Sequence, residues 1–185
     1  MGYPQHRGET YKAKKRRIRE GFFEKYCQGK GIDIGFGGDL LCKNCKGWDT
    51  EWGDAQYMKQ IKNGEFDFVY SSHCLEDLEY PSLALKNWWR ILKSGGFLIL
   101  FLPHRDLYEK RKKLPSRWNP WHRFFILIDR DDPPDTIGII PLINRTLSNQ
   151  KIIYVKECNE GHTITDPLIH SNGEYSIEVV IKKLK

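Results

Sequence analysis

The feature that most restricts the fold of this chain lies at residues 31–39, where a short apolar run ends in an acid and continues into a glycine-rich turn. Glycines at positions 35, 37 and 38 permit positive φ angles and let a ligand approach the backbone without meeting a Cβ atom. A dinucleotide-binding G-x-G-x-x-G fingerprint would place glycine at position 40, where this chain has Leu40. The segment therefore predicts a ligand-binding turn at the end of a buried strand and argues against an NAD site.

Apolar runs alternate with amphipathic stretches along the chain, which is the pattern of a parallel sheet covered by helices. Strands are predicted near residues 31–34, 47–49, 66–70, 97–102, 151–157 and 175–182, and helices near residues 8–27, 55–61, 82–93 and 136–148. The predicted fold class is α/β, with a doubly wound, mostly parallel sheet and an antiparallel C-terminal edge strand. Only about a dozen residues separate the glycine turn from the second strand, so the first crossover helix is expected to be shortened.

The composition fits one domain spanning residues 1–185, with a basic N-terminal helix within residues 1–29. There is no apolar run of about 18 residues and the N-terminus lacks the apolar core of a secretory signal, so we expect a cytoplasmic protein. Five cysteines, odd in number and irregularly spaced, are typical of a reducing compartment. Cys42 and Cys45 form a C-x-x-C pair, but no second ligand pair accompanies it, and no metal is predicted.

The formal net charge of +6 is concentrated near the N-terminus, because residues 1–30 hold nine Lys and Arg against three Asp and Glu. The basic run at residues 12–19 indicates either contact with a phosphate-bearing or otherwise anionic partner or the solvated face of a helix. Tyr11, Ile18, Phe22 and Tyr26 recur at helical spacing and predict the apolar face of that helix. The solvated-face interpretation is favoured, and the other stays open.

Several motifs between residues 30 and 103 resemble those of class I S-adenosylmethionine-dependent methyltransferases. Residues 33–37 (Asp-Ile-Gly-Phe-Gly) resemble the methionine-binding turn, and residues 53–55 (Gly-Asp-Ala) resemble the motif beside the adenine. Residues 73–78 (His-Cys-Leu-Glu-Asp-Leu) and 90–96 (Arg-Ile-Leu-Lys-Ser-Gly-Gly) resemble motifs of the type 11 subgroup. Residues 104–135 look like the substrate-pocket segment of small bacterial and phage members.

The resemblance implies a Rossmann-like domain that binds S-adenosylmethionine at the carboxyl ends of its strands. In the family, an acid at the position of Asp49 accepts hydrogen bonds from the ribose hydroxyls, as a carboxylate does well. Asp54 would accept from the exocyclic amine of the adenine. The cofactor-binding residues implied are Asp33, Ile34, Gly35, Phe36, Gly37, Asp49, Thr50, Asp54, Ala55, Ser71, Ser72 and His73.

The implied reaction is methyl transfer to an oxygen or nitrogen of a small molecule or glycan. A hydroxyl acceptor needs a base, for which the candidates are His73, His104 and His122, and we expect His104 or His122 to face the pocket beside His73. Two alternatives stay open. The basic run suggests a nucleic-acid methyltransferase, and Asp77, where the subgroup usually has His, together with the short first helix suggests an inactive cofactor-binding scaffold. No membrane partner is expected, and the sequence leaves the oligomeric state open.

Overall fold

The predicted alternation of strands and helices is confirmed by a computed structural model, which describes residues 8–185. The first seven residues of the predicted segment 1–29 therefore lie outside the described residues. The strands are β1 (Gly31–Ile34), β2 (Cys45–Trp48), β3 (Phe66–Ser72), β4 (Leu92–Pro103), β5 (Phe125–Leu127), β6 (Thr136–Gly138), β7 (Gln150–Cys158) and β8 (Ser176–Lys183). The helices are α1 (Glu9–Lys12), α2 (Lys14–Arg19), α3 (Phe22–Tyr26), α4 (Pro81–Ile91), α5 (Arg105–Tyr108) and α6 (Ile139–Thr146). Across this range, every helix is too short or too polar to span a lipid bilayer.

The main sheet has six strands in the order β2-β1-β3-β4-β8-β7, and β5 pairs with β6 separately. β1 pairs in parallel with β2 and β3, and β3 pairs in parallel with β4. β8 is antiparallel to both β4 and β7. The mostly parallel sheet with an antiparallel C-terminal edge is thus confirmed, and the carboxyl ends of β1, β2 and β3 meet at one edge.

Apolar side chains cover both faces of the sheet, as expected for parallel strands. On one face, Trp88 of α4 and Leu142 of α6 pack with Val69 and Leu98 in one buried cluster. On the other face, the N-terminal helices supply Phe22 to a second cluster. Burial on both sides explains why the strands read as nearly continuous apolar runs.

The N-terminal helix is broken into three, and its buried face is not the one that was predicted. Gly21 adopts a φ of 63°, which ends the helical path between α2 and α3. Phe22 is buried, but Tyr11 and Ile18 are 42% and 60% exposed. The predicted apolar stripe is therefore wrong over α1 and α2.

Two arginines of the basic run take the place of the missing apolar residues. Arg16 and Arg17 are 2% and 0% exposed. Arg16 Nη2 lies 2.9 Å from Glu174 Oε2, and Arg17 Nε lies 2.6 Å from Glu178 Oε2. Arg17 also stacks over the Phe101 ring, 4.6 Å from its centroid. These two arginines of the basic run are therefore turned into the protein, where acids of the C-terminal region neutralise them.

The connections on the β2 side of the sheet contain less helix than the sequence predicts. Residues 35–44 between β1 and β2 form turns only. The first crossover helix, which was expected to be short, is absent from this segment. Residues 55–61, predicted as a helix, also form turns, and that prediction is wrong. The reason is a contact with a later helix: Arg90 of α4 donates from Nη2 to the carbonyl of Met58 and from Nη1 to that of Ile61, both at 2.9 Å. These turns leave the sheet edge open.

Candidate active site

A cleft of about 660 Å³ opens at the carboxyl ends of β1, β2 and β3. Ligands bind at this edge of open parallel sheets because the loops after neighbouring strands converge there. The predicted cofactor residues that line the cleft are Gly35, Gly37, Asp49, Thr50, Asp54, Ala55 and His73. The structure thus brings together residues from three of the predicted motifs, at residues 33–37, 53–55 and 73–78.

The glycine turn forms the floor of the cleft. Gly35, with a φ of 71°, donates its N–H to the carbonyl of Trp48 at 2.8 Å, and this bond ties the turn to the end of β2. Gly37 has a φ of 53°, and a Cβ atom built on it would meet no heavy atom of residues 8–185 within 4 Å. The backbone at Gly37 therefore faces open space that a ligand can fill.

Asp49 joins the turn to the second strand. Its Oδ2 accepts from the Gly37 N–H at 3.1 Å, and its Oδ1 accepts from the Thr50 N–H at 2.9 Å. Each carboxylate oxygen can accept a further hydrogen bond. Asp49 is therefore held in place by the backbone while it lines the cleft, which is the arrangement expected for binding a pair of hydroxyls.

Asp54 is fixed in a similar way at the next turn, where its Oδ1 accepts from the Gln56 N–H at 2.7 Å. Gln56 is in turn anchored, because its carbonyl accepts from Asn87 of α4 at 2.8 Å. The neighbouring Ala55 carbonyl accepts from the Trp88 indole at 2.9 Å. The loop that carries Asp54 is thus attached to α4 by side-chain hydrogen bonds.

The other predicted cofactor residues do not line the cleft with their side chains. Asp33 is fully buried and its Oδ2 accepts from the Leu41 N–H at 2.8 Å, while burial raises its pKa well above the usual range. Ile34 belongs to the core, and Phe36 lies against Trp52. Ser71 and Ser72 are buried on β3, where Ser71 Oγ donates to the Ile34 carbonyl at 3.0 Å. Side chains on β1 and β3 point alternately towards the two faces of the sheet. They therefore do not point towards the edge where the cleft lies.

His73 lines the cleft directly after β3, and its φ of 46° lies in the left-handed region. Its Nε2 lies 2.9 Å from the hydroxyl of Ser176. Burial, together with the nearby His122 imidazole, lowers the pKa of His73 to about 3. The ring is therefore neutral at pH 7 and suits hydrogen bonding better than proton abstraction.

Neither His104 nor His122 lines the cleft, contrary to the expectation that one of them would face it beside His73. His104 is held elsewhere. Its Nδ1 accepts from the Asp106 N–H at 3.2 Å and caps α5, and its Nε2 lies 3.5 Å from Glu157 Oε2 on β7. His104 does follow directly after β4, as the predicted strand at residues 97–102 implied. Its direction depends on β7, which the sequence could not position.

His122 lies one side chain behind the cleft wall, in a group of acids. Its Nδ1 is 3.0 Å from Glu109 Oε1, and its Nε2 is 3.7 Å from Glu76 Oε1 and 4.0 Å from Asp77 Oδ1. Glu76, Glu109 and the His122 side chain are almost completely buried, while Asp77 reaches the cleft. We call Glu76, Asp77, Glu109 and His122 the acidic cluster.

The acidic cluster contains two functional candidates that the sequence analysis did not select. Glu76 was part of the quoted motif at residues 73–78, but it carried no assigned role. Glu109 follows α5, and only the fold brings it to His122. Trp121 and Arg123 also line the cleft, from the segment that was predicted to cover it.

Solved structures of methyltransferases share this fold. A SAM-dependent methyltransferase from Archaeoglobus fulgidus is 18% identical, with a TM-score of 0.59 and 96% of each chain covered. A SAM-dependent methyltransferase from Thermotoga maritima, described as a possible histamine N-methyltransferase, is 19% identical, with a TM-score of 0.53 and coverage of 95% of this chain and 99% of that one. One from Aquifex aeolicus is 13% identical, with a TM-score of 0.54 and coverage of 96% and 100%. The fold is that of the class I SAM-dependent methyltransferases.

A sequence comparison agrees with the fold. Residues 17–100 match the family model for a methyltransferase domain of type 11, and this region contains the glycine turn, Asp49, Asp54 and residues 73–78. No curated protein sequence matches the chain. This matched region and the shared fold indicate a SAM-dependent methyltransferase, and they imply S-adenosylmethionine as its cofactor.

Proposed function

We propose that the protein methylates an oxygen or nitrogen atom of a small molecule or glycan that binds at the Asp77 end of the cleft. The observation that carries this proposal is the continuity of the cleft. One cavity is lined by Gly37 and Asp49 and also by His73 and Asp77. A cofactor held by the first pair of residues and an acceptor held by the second pair would be neighbours.

The cofactor end has the chemistry that an adenosyl group and its ribose require. The open space at Gly37 admits the ligand, and the backbone-anchored Asp49 offers acceptors for hydroxyls. When bound, the cofactor supplies a methyl group on a cationic sulfur, and the acceptor atom takes that carbon in line as the carbon–sulfur bond breaks. The residues of the chain orient the acceptor and exclude water from this displacement.

The acceptor end combines an apolar wall with polar groups. Trp121 and Arg123 lie beside Asp77 along the cleft. In this proposal the neutral His73 positions the acceptor through a hydrogen bond, and the proton of the acceptor leaves on the Asp77 side, where His122 stands 4.0 Å behind. His104 has no role, because it points to β7.

The charge distribution favours a small or glycan acceptor over a nucleic acid. Arg16 and Arg17 are paired with internal acids, so the basic run presents less positive charge than its sequence suggests. A phosphate backbone is bound through accessible Lys and Arg side chains. We also retain a cytoplasmic location in the proposal, on the basis of the irregularly spaced cysteines.

The proposal is tested by incubating the full chain and S-adenosylmethionine with panels of hydroxylated, amine-bearing and glycan acceptors, and with RNA and DNA. Mass spectrometry should detect S-adenosylhomocysteine together with a monomethylated small molecule or glycan. Asp77→Asn should lower kcat at least about tenfold, the scale of a lost acid–base contribution, with unchanged affinity for S-adenosylhomocysteine. Glu157→Gln, which removes the partner of His104, is the matched control and should retain full activity. Methylation of nucleic acid alone, or full activity in Asp77→Asn, would contradict the proposal.

A further inference from the structure

We propose that Glu76, Asp77 and His122 form a binding site for a divalent transition-metal ion of the Mn²⁺ or Fe²⁺ kind. The sequence analysis predicted no metal because it considered only the pair Cys42 and Cys45. The site proposed here has different ligands and lies at the acceptor end of the cleft. Its role in methyl transfer rests on the proposed function, whereas binding of the ion can be measured independently.

The backbone brings the three ligands together. The Arg123 N–H donates to the Glu76 carbonyl at 2.8 Å, and Arg123 Nε donates to the Asp77 carbonyl at 3.1 Å. These two bonds fix the segment that carries His122 against the 3₁₀ turn Leu75–Asp77. The arrangement therefore depends on two hydrogen bonds that Arg123 donates to the main chain of this turn, one from its backbone and one from its side chain.

The spacing of the donor atoms suits one ion. Glu76, Asp77 and His122 each offer one potential ligand atom, and these three atoms lie within 4.8 Å of one another. Two ligands of one ion, each about 2.1 Å from it, lie at most about 4.2 Å apart. The distances from His122 Nε2 to Glu76 Oε1 and Asp77 Oδ1, 3.7 and 4.0 Å, are inside that limit. Small side-chain adjustments would complete the geometry.

Glu76 provides an observation that is independent of the clustering. Its side chain is fully buried, and neither of its oxygens has a hydrogen-bond partner within the described residues 8–185. A buried carboxyl group without a partner is costly, and nearly all such groups in folded proteins are satisfied. A cation between Glu76 and His122 would supply the missing partner.

Glu109 completes the arrangement from behind. It accepts from Ser116 Oγ and from the Arg117 N–H, and its Oε1 lies 3.0 Å from His122 Nδ1. Metal-binding histidines commonly donate their second N–H to a carboxylate in this way, which directs the other nitrogen at the ion. Glu109 is therefore a positioning residue, and its own oxygens are already satisfied.

The donor set and its exposure indicate the kind of ion. One imidazole and two carboxylates suit Mn²⁺, Fe²⁺ or Zn²⁺ better than the all-oxygen shell that Mg²⁺ and Ca²⁺ prefer. Three protein ligands leave a position open, as in catalytic metal sites. Asp77 borders the cleft, so that position can face an acceptor oxygen. An oxygen bound to the ion loses its proton more readily.

The experiment uses the full chain after removal of metals with a chelator, and Mn²⁺ as the probe. Mn²⁺ is chosen because it prefers oxygen and nitrogen ligands and avoids the thiols of Cys42 and Cys45. Free Mn²⁺ is followed by electron paramagnetic resonance during a titration. We expect one ion per chain, and a rise in Tm at saturating Mn²⁺, because binding to the folded state stabilises it.

Variants locate the site. In Glu109→Gln, the affinity for Mn²⁺ should fall about 10- to 100-fold. It should fall further in each of the three ligand variants, Glu76→Gln, His122→Gln and Asp77→Asn. The matched control Glu157→Gln, at the other His–carboxylate pair, should bind as the wild type does. Asp77→Asn decides the question where Glu76→Gln does not fold, because Asp77 is partly exposed.

The wild-type titration can overturn the inference by itself. Absence of saturable one-to-one Mn²⁺ binding, or binding that survives in Asp77→Asn and His122→Gln, would show that Glu76, Asp77 and His122 do not form a metal site. If the wild-type protein binds Mn²⁺ but methylates no small molecule or glycan, the proposed function is overturned and the metal site is retained.

Discussion

Two groups of buried charges differ sharply in how they are satisfied. Beneath the N-terminal helices, Arg16 and Arg17 face Glu174 and Glu178, so the formal charges cancel. Glu178 Oε1 also accepts from Tyr154 at 2.6 Å. In the acidic cluster beside the cleft, three carboxyl groups surround one imidazole, and neither oxygen of Glu76 has a hydrogen-bond partner within residues 8–185.

The difference separates structural charges from functional ones. Breaking a compensated buried pair is costly because the remaining charge loses its partner. A buried polar group without a hydrogen-bond partner in the protein contributes little to the stability of the folded state. We therefore expect its partner to be a ligand. The first group thus replaces apolar packing under the sheet, and the second is available for chemistry.

The largest effect is expected for Arg17→Met. The change keeps an extended apolar side chain but leaves Glu178 without one of its two arginines, so the free energy of unfolding should fall by about 3–5 kcal/mol. Urea unfolding measures it. The control is Lys14→Met, an exposed position of the same helix, which should change stability by less than about 0.5 kcal/mol. Equal effects of the two changes would mean that the buried network is not structural.

A somewhat smaller effect is expected from acid. Burial disfavours the charged form of Glu178, but the guanidinium groups of Arg17 and Arg16 outweigh it and lower its pKa from the ordinary 4.5 to about 2. Because the folded-state pKa is the lower one, Glu178 stabilises the protein fully above about pH 4.5, and this contribution, on the order of 3 kcal/mol, is lost as the pH falls towards 2. Stability measured across this range should fall less steeply in Glu178→Gln than in wild type. Parallel curves would contradict the assignment.

The smallest effect, and one of opposite sign, is expected for Glu76→Met in the metal-free protein. An apolar side chain of similar length replaces a buried carboxyl group without a partner, so stability should stay unchanged or rise by about 1 kcal/mol. Urea unfolding in the presence of a chelator provides the comparison with Arg17→Met. A loss as large as that of Arg17→Met would show that Glu76 is satisfied by the protein and would remove the contrast.

Local sequence patterns were sufficient for the sheet and for the cofactor end of the cleft. The apolar runs of β3 and β4 and the stripe of α4 depend on periodicity alone, which is a local property. The glycine turn and Asp49 were also visible, because both directly follow strands. Each of these features could be predicted from residue types and their positions within one short segment.

Features that depend on distant partners were not predictable in this way. Helical spacing favoured Ile18 as buried, yet Arg16 and Arg17 are buried because acids about 160 residues away meet them. The turns at residues 55–61 depend on Arg90 in the same manner. Glu76 and His122 belong to different segments, and only the folded chain places them side by side.

The central claim is that the glycine turn at the end of β1 is the cofactor-binding surface, and calorimetric titration with S-adenosylhomocysteine tests it most directly. The matched pair is Gly37→Ala and Gly64→Ala, because the two glycines have φ angles of 53° and 60° and neither has a heavy atom of residues 8–185 within 4 Å of a built Cβ. Only Gly37 lines the cleft. We predict that Gly64→Ala binds like wild type and that Gly37→Ala loses at least about tenfold in affinity, which is about 1.4 kcal/mol. Equal affinities of the two variants would contradict the account.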